Sequence, residues 1–64
     1  MNERRQAIKA LEENGYHFEA HGKNHDQYYN KETRYKISLK RHDFDQDDLR
    51  LIKKEIKKGT MGRS

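Results

Sequence analysis

The apolar residues of this chain fall into five short periodic segments, separated by glycine, asparagine or acidic punctuation. Across Asn2 to Asn14, Ala7, Ile8 and Leu11 recur at the spacing of one helical stripe, with Arg4, Arg5, Lys9, Glu12 and Glu13 around it. Asn2 supplies an N-cap acceptor, and Gly15 stands where a helix ends in the left-handed conformation. From Tyr16 to His21 the period changes to two, with Tyr16, Phe18 and Ala20 inward and His17, Glu19 and His21 outward, as in a half-buried strand. Gly22-Lys23-Asn24 predicts a turn, because glycine and asparagine adopt positive φ at low cost. His25 to Asn30 predicts a second strand whose inward set is Asp26, Tyr28 and Asn30. Lys31-Glu32-Thr33-Arg34 is a polar hairpin loop, after which Tyr35, Ile37 and Leu39 alternate with Lys36, Ser38 and Lys40 in a third strand.

The last segment has the most complete helical grammar. Asp45 is an N-cap, and Asp47 and Asp48 place negative charge at the positive end of the helix dipole. Phe44 and Leu49 have the spacing of a hydrophobic staple. Leu49, Ile52 and Ile56 form the stripe to be buried, with Leu51 at its edge. Lys53, Lys54, Lys57 and Lys58 load the C-terminal end, and Gly59 predicts the stop. The expected order is α-β-β-β-α: an α+β fold with a three-stranded antiparallel meander and both helices on one face, the arrangement of double-stranded-RNA-binding (dsRBD-like) domains. Residues 1–59 form the one domain expected, with 60–64 as a flexible C-terminal tail. The open sheet face is expected to display His17, His21, His25, Tyr29, Lys36 and Lys40.

Composition sharpens this picture. With 64 residues, 30% hydrophobic and 41% charged, the core must be lean. The chain has no cysteine, which excludes disulfides and thiolate metal sites. The early charges and short apolar runs argue against a signal peptide or membrane span, so a cytoplasmic protein is expected. A formal net charge of +4 favours polyanionic partners, chiefly nucleic acid. The run Asp43-x-Asp45-x-Asp47 mimics a calcium loop, but Asp48 replaces its required glycine and Lys54 its bidentate glutamate. His17, His21 and His25 are spaced across a turn with no carboxylate or thiolate to complete a tetrahedral set, so no metal or other cofactor is expected.

His25 beside Lys23 and Asn24 carries the candidate chemistry. A free imidazole titrates near neutral pH and can take the 2′-hydroxyl proton of RNA, or alternate between that role and protonating the leaving 5′-oxygen. His42, or Lys23 beside His25, is placed to assist by charge or proton donation. Three stretches, Glu13-Asn14-Gly15-Tyr16, Gly22-Lys23-Asn24-His25-Asp26-x-Tyr28 and Ile37-x-Leu39-x-Arg41-His42, resemble the HicA-type toxins of HicA–HicB toxin–antitoxin systems over roughly residues 3 to 58. The resemblance implies an mRNA interferase: a small dsRBD-like endoribonuclease that cuts mRNA, blocks translation and growth, and is neutralised by a HicB-type antitoxin covering its active face. It carries the family's essential histidine onto His25 and the element after the third strand onto Arg41 and His42. Lys23, Asn24, Lys36, Lys40, Arg41 and His42 are then the expected RNA-facing surround. The chain departs from the family at Asn24, where serine is usual, at Ala20-His21, where a basic residue is usual, and at Asp45-Gln46-Asp47-Asp48, which replaces a glycine-threonine helix start. The alternative is a dsRBD-like RNA-binding module without catalysis. A DNA-binding accessory role ranks last, because neither helix has a recognition face.

Overall fold

The computed structural model describes residues 2–61 and has the order α1 (Glu3–Glu13), β1 (Tyr16–His21), β2 (His25–Asn30), β3 (Lys36–Lys40) and α2 (Gln46–Met61). The strands form one antiparallel sheet in the order β1-β2-β3. Both helices pack on one face of it, through a core of Ala7 and Leu11 from α1, four sheet residues, and Leu49, Ile52 and Ile56 from α2. Tyr16, Tyr28, Ile37 and Leu39 are the sheet's contribution. The shortest dimension is 15 Å, enough for one helix layer against one sheet, so the second sheet face stays open.

The helix starts form as their residues dictate. The Asn2 side chain accepts from the Arg5 N–H at 2.7 Å, and the chain leaves α1 through Gly15 at φ +86°. At α2 the cap is reciprocal: the Asp48 N–H donates to Asp45 Oδ1 and the Asp45 N–H to Asp48 Oδ2, both at 3.1 Å. The backbone bond from Asp45 holds the Asp48 carboxyl below the usual carboxylate range; partial burial opposes this and the Lys40 charge adds to it. Phe44 packs against the core that contains Leu49, as the staple spacing predicts.

Two expectations are corrected. β1 does not keep a single alternation. A bulge between Phe18 and Ala20 inserts an extra residue, so Ala20 pairs with outward Gln27 and His21 with buried Asp26. Ala20 therefore moves to the open face, and His21 leaves it for the helix side of the sheet. Phe18 is 48% exposed on the uncovered edge strand, its ring 4.7 Å from that of His21 and 6.0 Å, edge-on, from that of Tyr28.

The second correction concerns Gly59, which does not stop α2; the helix continues to Met61. The helix thus includes the first two residues of the expected tail, 60–64, of which residues 62–64 lie outside the described part. Gly59 is buried, and a Cβ there would sit 2.6 Å from Tyr16 Oη and 2.8 Å from Tyr35 Cδ2. Neither ring has room to retreat: Tyr16 is fully buried, and the Tyr35 hydroxyl donates to Glu55 Oε2 at 2.9 Å. The residue is glycine because two tyrosines close against the helix backbone. Gly59→Ala gains helix propensity of about 1 kcal/mol but overpacks a rigid contact at about 1–3 kcal/mol. A net loss of up to about 2 kcal/mol is expected in urea unfolding, and a raised midpoint would show that the tyrosines yield.

Candidate active site at the turn between β1 and β2

The turn Gly22-Lys23-Asn24 is closed by backbone approach. The Gly22 N–H donates to the His25 carbonyl at 2.6 Å, and a Cβ on Gly22 would lie 2.7 Å from that oxygen. Gly22 and Asn24 do not have positive φ, so close contact, rather than the positive φ expected, makes glycine necessary here. The far side of the turn is fixed by Arg41. Its N–H donates to the Asn24 carbonyl at 3.2 Å, extending the β2–β3 pairing by one step. Its guanidinium Nη2 donates to the Gly22 carbonyl and, at 3.4 Å, to that of Lys23.

Beneath this turn lies Asp26, which is only 6% exposed. A carboxylate on the inward face of a strand needs cationic partners, and Asp26 has several. Arg4 Nη2 from α1 donates to Oδ2 at 2.8 Å, and the same arginine's Nε donates to the Lys40 carbonyl at 3.0 Å. His21 Nδ1 is 2.8 Å from Oδ1. Arg41 Nε lies 3.2 Å from Oδ1, a close charge contact without hydrogen-bond alignment. The Asp26 carboxyl is held below the usual range, first by the His21 hydrogen bond, against the effect of burial, and then by the charges of His21 and Arg41 and the Arg4 hydrogen bond. One buried carboxylate thus ties α1, β1 and the start of the loop after β3 to the strand that begins with His25.

His25 itself is on the open face, opposite Lys40 in register, with Gln27 opposite Ser38 in the next outward row. The Ser38 hydroxyl donates to Gln27 Oε1 at 3.2 Å. An open depression of about 290 Å³ is lined by Gly22, Lys23, Asn24, His25, Gln27 and Ser38. The imidazole of His25 is exposed and makes no hydrogen bond or ion pair among the described residues. Lys23 is equally unpaired by a carboxylate.

The other expected RNA-facing groups divide differently. Lys36 Nζ lies 3.1 Å from Glu19 Oε1 and 5.9 Å over the Tyr29 ring. Lys40 Nζ donates to the Asp43 carbonyl at 3.2 Å and lies 3.5 Å from Asp48 Oδ2. The Arg41 guanidinium, expected to face RNA, turns inward to the turn carbonyls and Asp26 and keeps about a third of its side chain exposed. His42 is exposed and follows Arg41 past the Asn24 carbonyl, without a bond from its ring to His25. His17 stays on the open face through its pairing with Tyr29. Among the described residues, no three histidine, aspartate or glutamate side chains group as metal ligands. Arg4 and Asp26 did not emerge from the sequence as parts of the site. The inward register position of Asp26 was the available signal, since a core-facing carboxylate implies cations around it.

Protein-family models, curated proteins and solved structures were each compared with the chain, and none matches. The functional reading therefore rests on the residues of the turn and their geometry. An unpaired imidazole, a free ammonium and an amide share one exposed depression on a braced turn. These are the components of an acid–base and anion-stabilising site.

Proposed function

We propose that this protein is a HicA-type, metal-independent endoribonuclease toxin that cleaves mRNA, with His25 as its acid–base catalyst. The observation that carries the reading is the contrast at the turn. Lys36, Lys40 and Arg41 are engaged by protein partners, whereas the His25 imidazole is exposed and unengaged above a turn held by Arg41 and Asp26. A base for RNA cleavage needs an accessible imidazole on a held backbone, and the exposed ring and the backbone bonds of the turn support that reading.

In the proposed reaction, neutral His25 accepts the proton of a ribose 2′-hydroxyl as that oxygen attacks the adjacent phosphorus. The bond from phosphorus to the 5′-oxygen breaks, and the imidazolium returns its proton to that oxygen. The products are a 2′,3′-cyclic phosphate and a free 5′-hydroxyl. Lys23 stabilises the added negative charge on the phosphorane, and the Asn24 amide donates to a non-bridging oxygen. His42 borders the path of the strand over the sheet, where Lys36 and Lys40 add no free charge because Glu19 and Asp48 pair them. A HicB-type antitoxin would neutralise the toxin by covering this open face.

The test is incubation of the purified protein with mRNA in EDTA, followed by mapping of RNA ends and their chemistry. New 5′-hydroxyl ends paired with cyclic phosphates are expected, at the same rate with or without chelator. Complete loss on chelation would refute the metal-independent mechanism. Retained, salt-sensitive binding with no new ends would assign the protein to the non-catalytic RNA-binding class.

A further inference from the structure

The charge of this molecule is not spread over it. From Arg50 to Lys58, α2 carries five cations against Glu55 alone, and in the rest of the chain ten cations face ten carboxylates. The excess of cations thus falls on the stretch from Arg50 to Lys58 of one helix. Leu49, Ile52, Ile56 and Gly59 face the core, so Arg50, Lys53, Lys54, Lys57 and Lys58 share the exposed side. Glu55 is occupied by the Tyr35 hydroxyl, and Arg50 lies 3.9 Å from Asp47. None of the four lysines makes an ion pair among the described residues. Dipole compensation accounts for a cation in the last turn and not for Lys53 and Lys54, which lie nearer the middle of the helix.

Around the reactive turn the situation is the opposite, with Lys36 held by Glu19 and Lys40 by Asp48, and with Arg41 drawn inward to Asp26. Apart from Lys23, the chemistry and the largest group of cations without an ion pair among the described residues therefore lie on different sides of the molecule. We infer that the outer face of α2 is a second nucleic-acid surface, which anchors the phosphate backbone of RNA through Lys53, Lys54, Lys57 and Lys58 while the turn at His25 performs the reaction. The inference deepens the ribonuclease reading and rests on it for the identity of the polyanion. Single-stranded RNA is the occupant it names, because closely spaced, conformationally free ammonium groups match phosphate charge without base-specific geometry.

The test is the binding of a labelled single-stranded RNA to the full chain carrying His25→Ala, titrated at several salt concentrations. A variant with Lys53, Lys54, Lys57 and Lys58 all changed to glutamine is compared with one carrying Lys36→Gln and Lys40→Gln. A third variant changes the four α2 lysines to arginine. Each phosphate contact contributes about 0.7 to the slope of log K against log salt for a single strand, so the glutamine set should flatten it by about 2–3. The arginine set should restore the slope and the sheet-face pair should leave it intact, all with unchanged far-UV circular dichroism. A flattening below about 1, an equal effect from the sheet-face pair, or tighter binding of polyglutamate than of RNA would each overturn the anchor. Cleavage by the His25-containing chain is scored separately. Cleavage with an unmoved slope rejects the anchor alone, and α2-dependent binding without cleavage rejects the ribonuclease alone.

Discussion

His25→Ala is expected to reduce RNA cleavage by at least about 100-fold, the lower range for loss of a positioned acid–base group. It should also abolish growth arrest on induced expression, with no change in the far-UV circular dichroism spectrum. The structural half of the expectation follows from where the side chain is. The ring is exposed and makes no bond among the described residues, and the turn uses only the His25 carbonyl, which accepts from Gly22 and survives truncation. Loss of activity in this variant is therefore loss of chemistry. Equal toxicity and equal cleavage by wild type and variant would remove His25 from the mechanism and leave RNA binding as the function of the face.

Asp26→Ala is expected to have the largest effect on stability among polar substitutions, because it leaves Arg4 and Arg41 without their shared carboxylate. Hydrogen bonds to charged groups contribute about 1.5–3 kcal/mol each. Asp26 is buried, but its partners Arg4, His21 and Arg41 are partly exposed and solvent screens their charges, so a loss of about 2–3 kcal/mol in urea unfolding is expected. At about 0.05–0.15 kcal/mol per residue, a domain of this size has roughly 3–10 kcal/mol in total, so the loss is a large share. The pH dependence has a definite sign. The folded Asp26 carboxyl is held below its ordinary value, so its contribution is complete above the unfolded carboxylate range. It is lost as pH falls through the depressed folded value. The stability gap between wild type and Asp26→Asn should accordingly be widest near neutral pH and close in acid. A gap that stays constant down to pH 2 would show that the ion pairs do not hold the turn. Cleavage by Asp26→Asn should fall as well, since Arg41 then loses the charge that sets its reach to Gly22.

The element order, the faces of β2 and β3, both helix caps and the staple at Phe44 were legible in the chain. Each depends on neighbours a few residues apart: the period of burial, a side-chain acceptor within reach of a free N–H, an apolar pair across one turn. The candidate site was legible in the same local way, since Gly22 to His25 is one contiguous stretch. The bulge in β1 was not, because an extra residue is tolerated or rejected by the strand it pairs with, and the period seen from Tyr16 to Ala20 carries no trace of it. That one irregularity moved His21 from the open face to Asp26.

The opening stretch of the site shows the same division. By itself the sequence determined an α-β-β-β-α chain with a histidine at a polar turn, because local spacing and turn chemistry suffice for that. Only the tertiary structure decided that Arg41 faces inward, that Gly22 and Gly59 are glycines of close approach, and that Lys36 and Lys40 are already paired. Those outcomes depend on side chains that meet from distant parts of the chain, Arg4 with Asp26 and Gly59 with Tyr16 among them. Such contacts are set by the packing of α1 and α2 on the sheet, which no local pattern encodes.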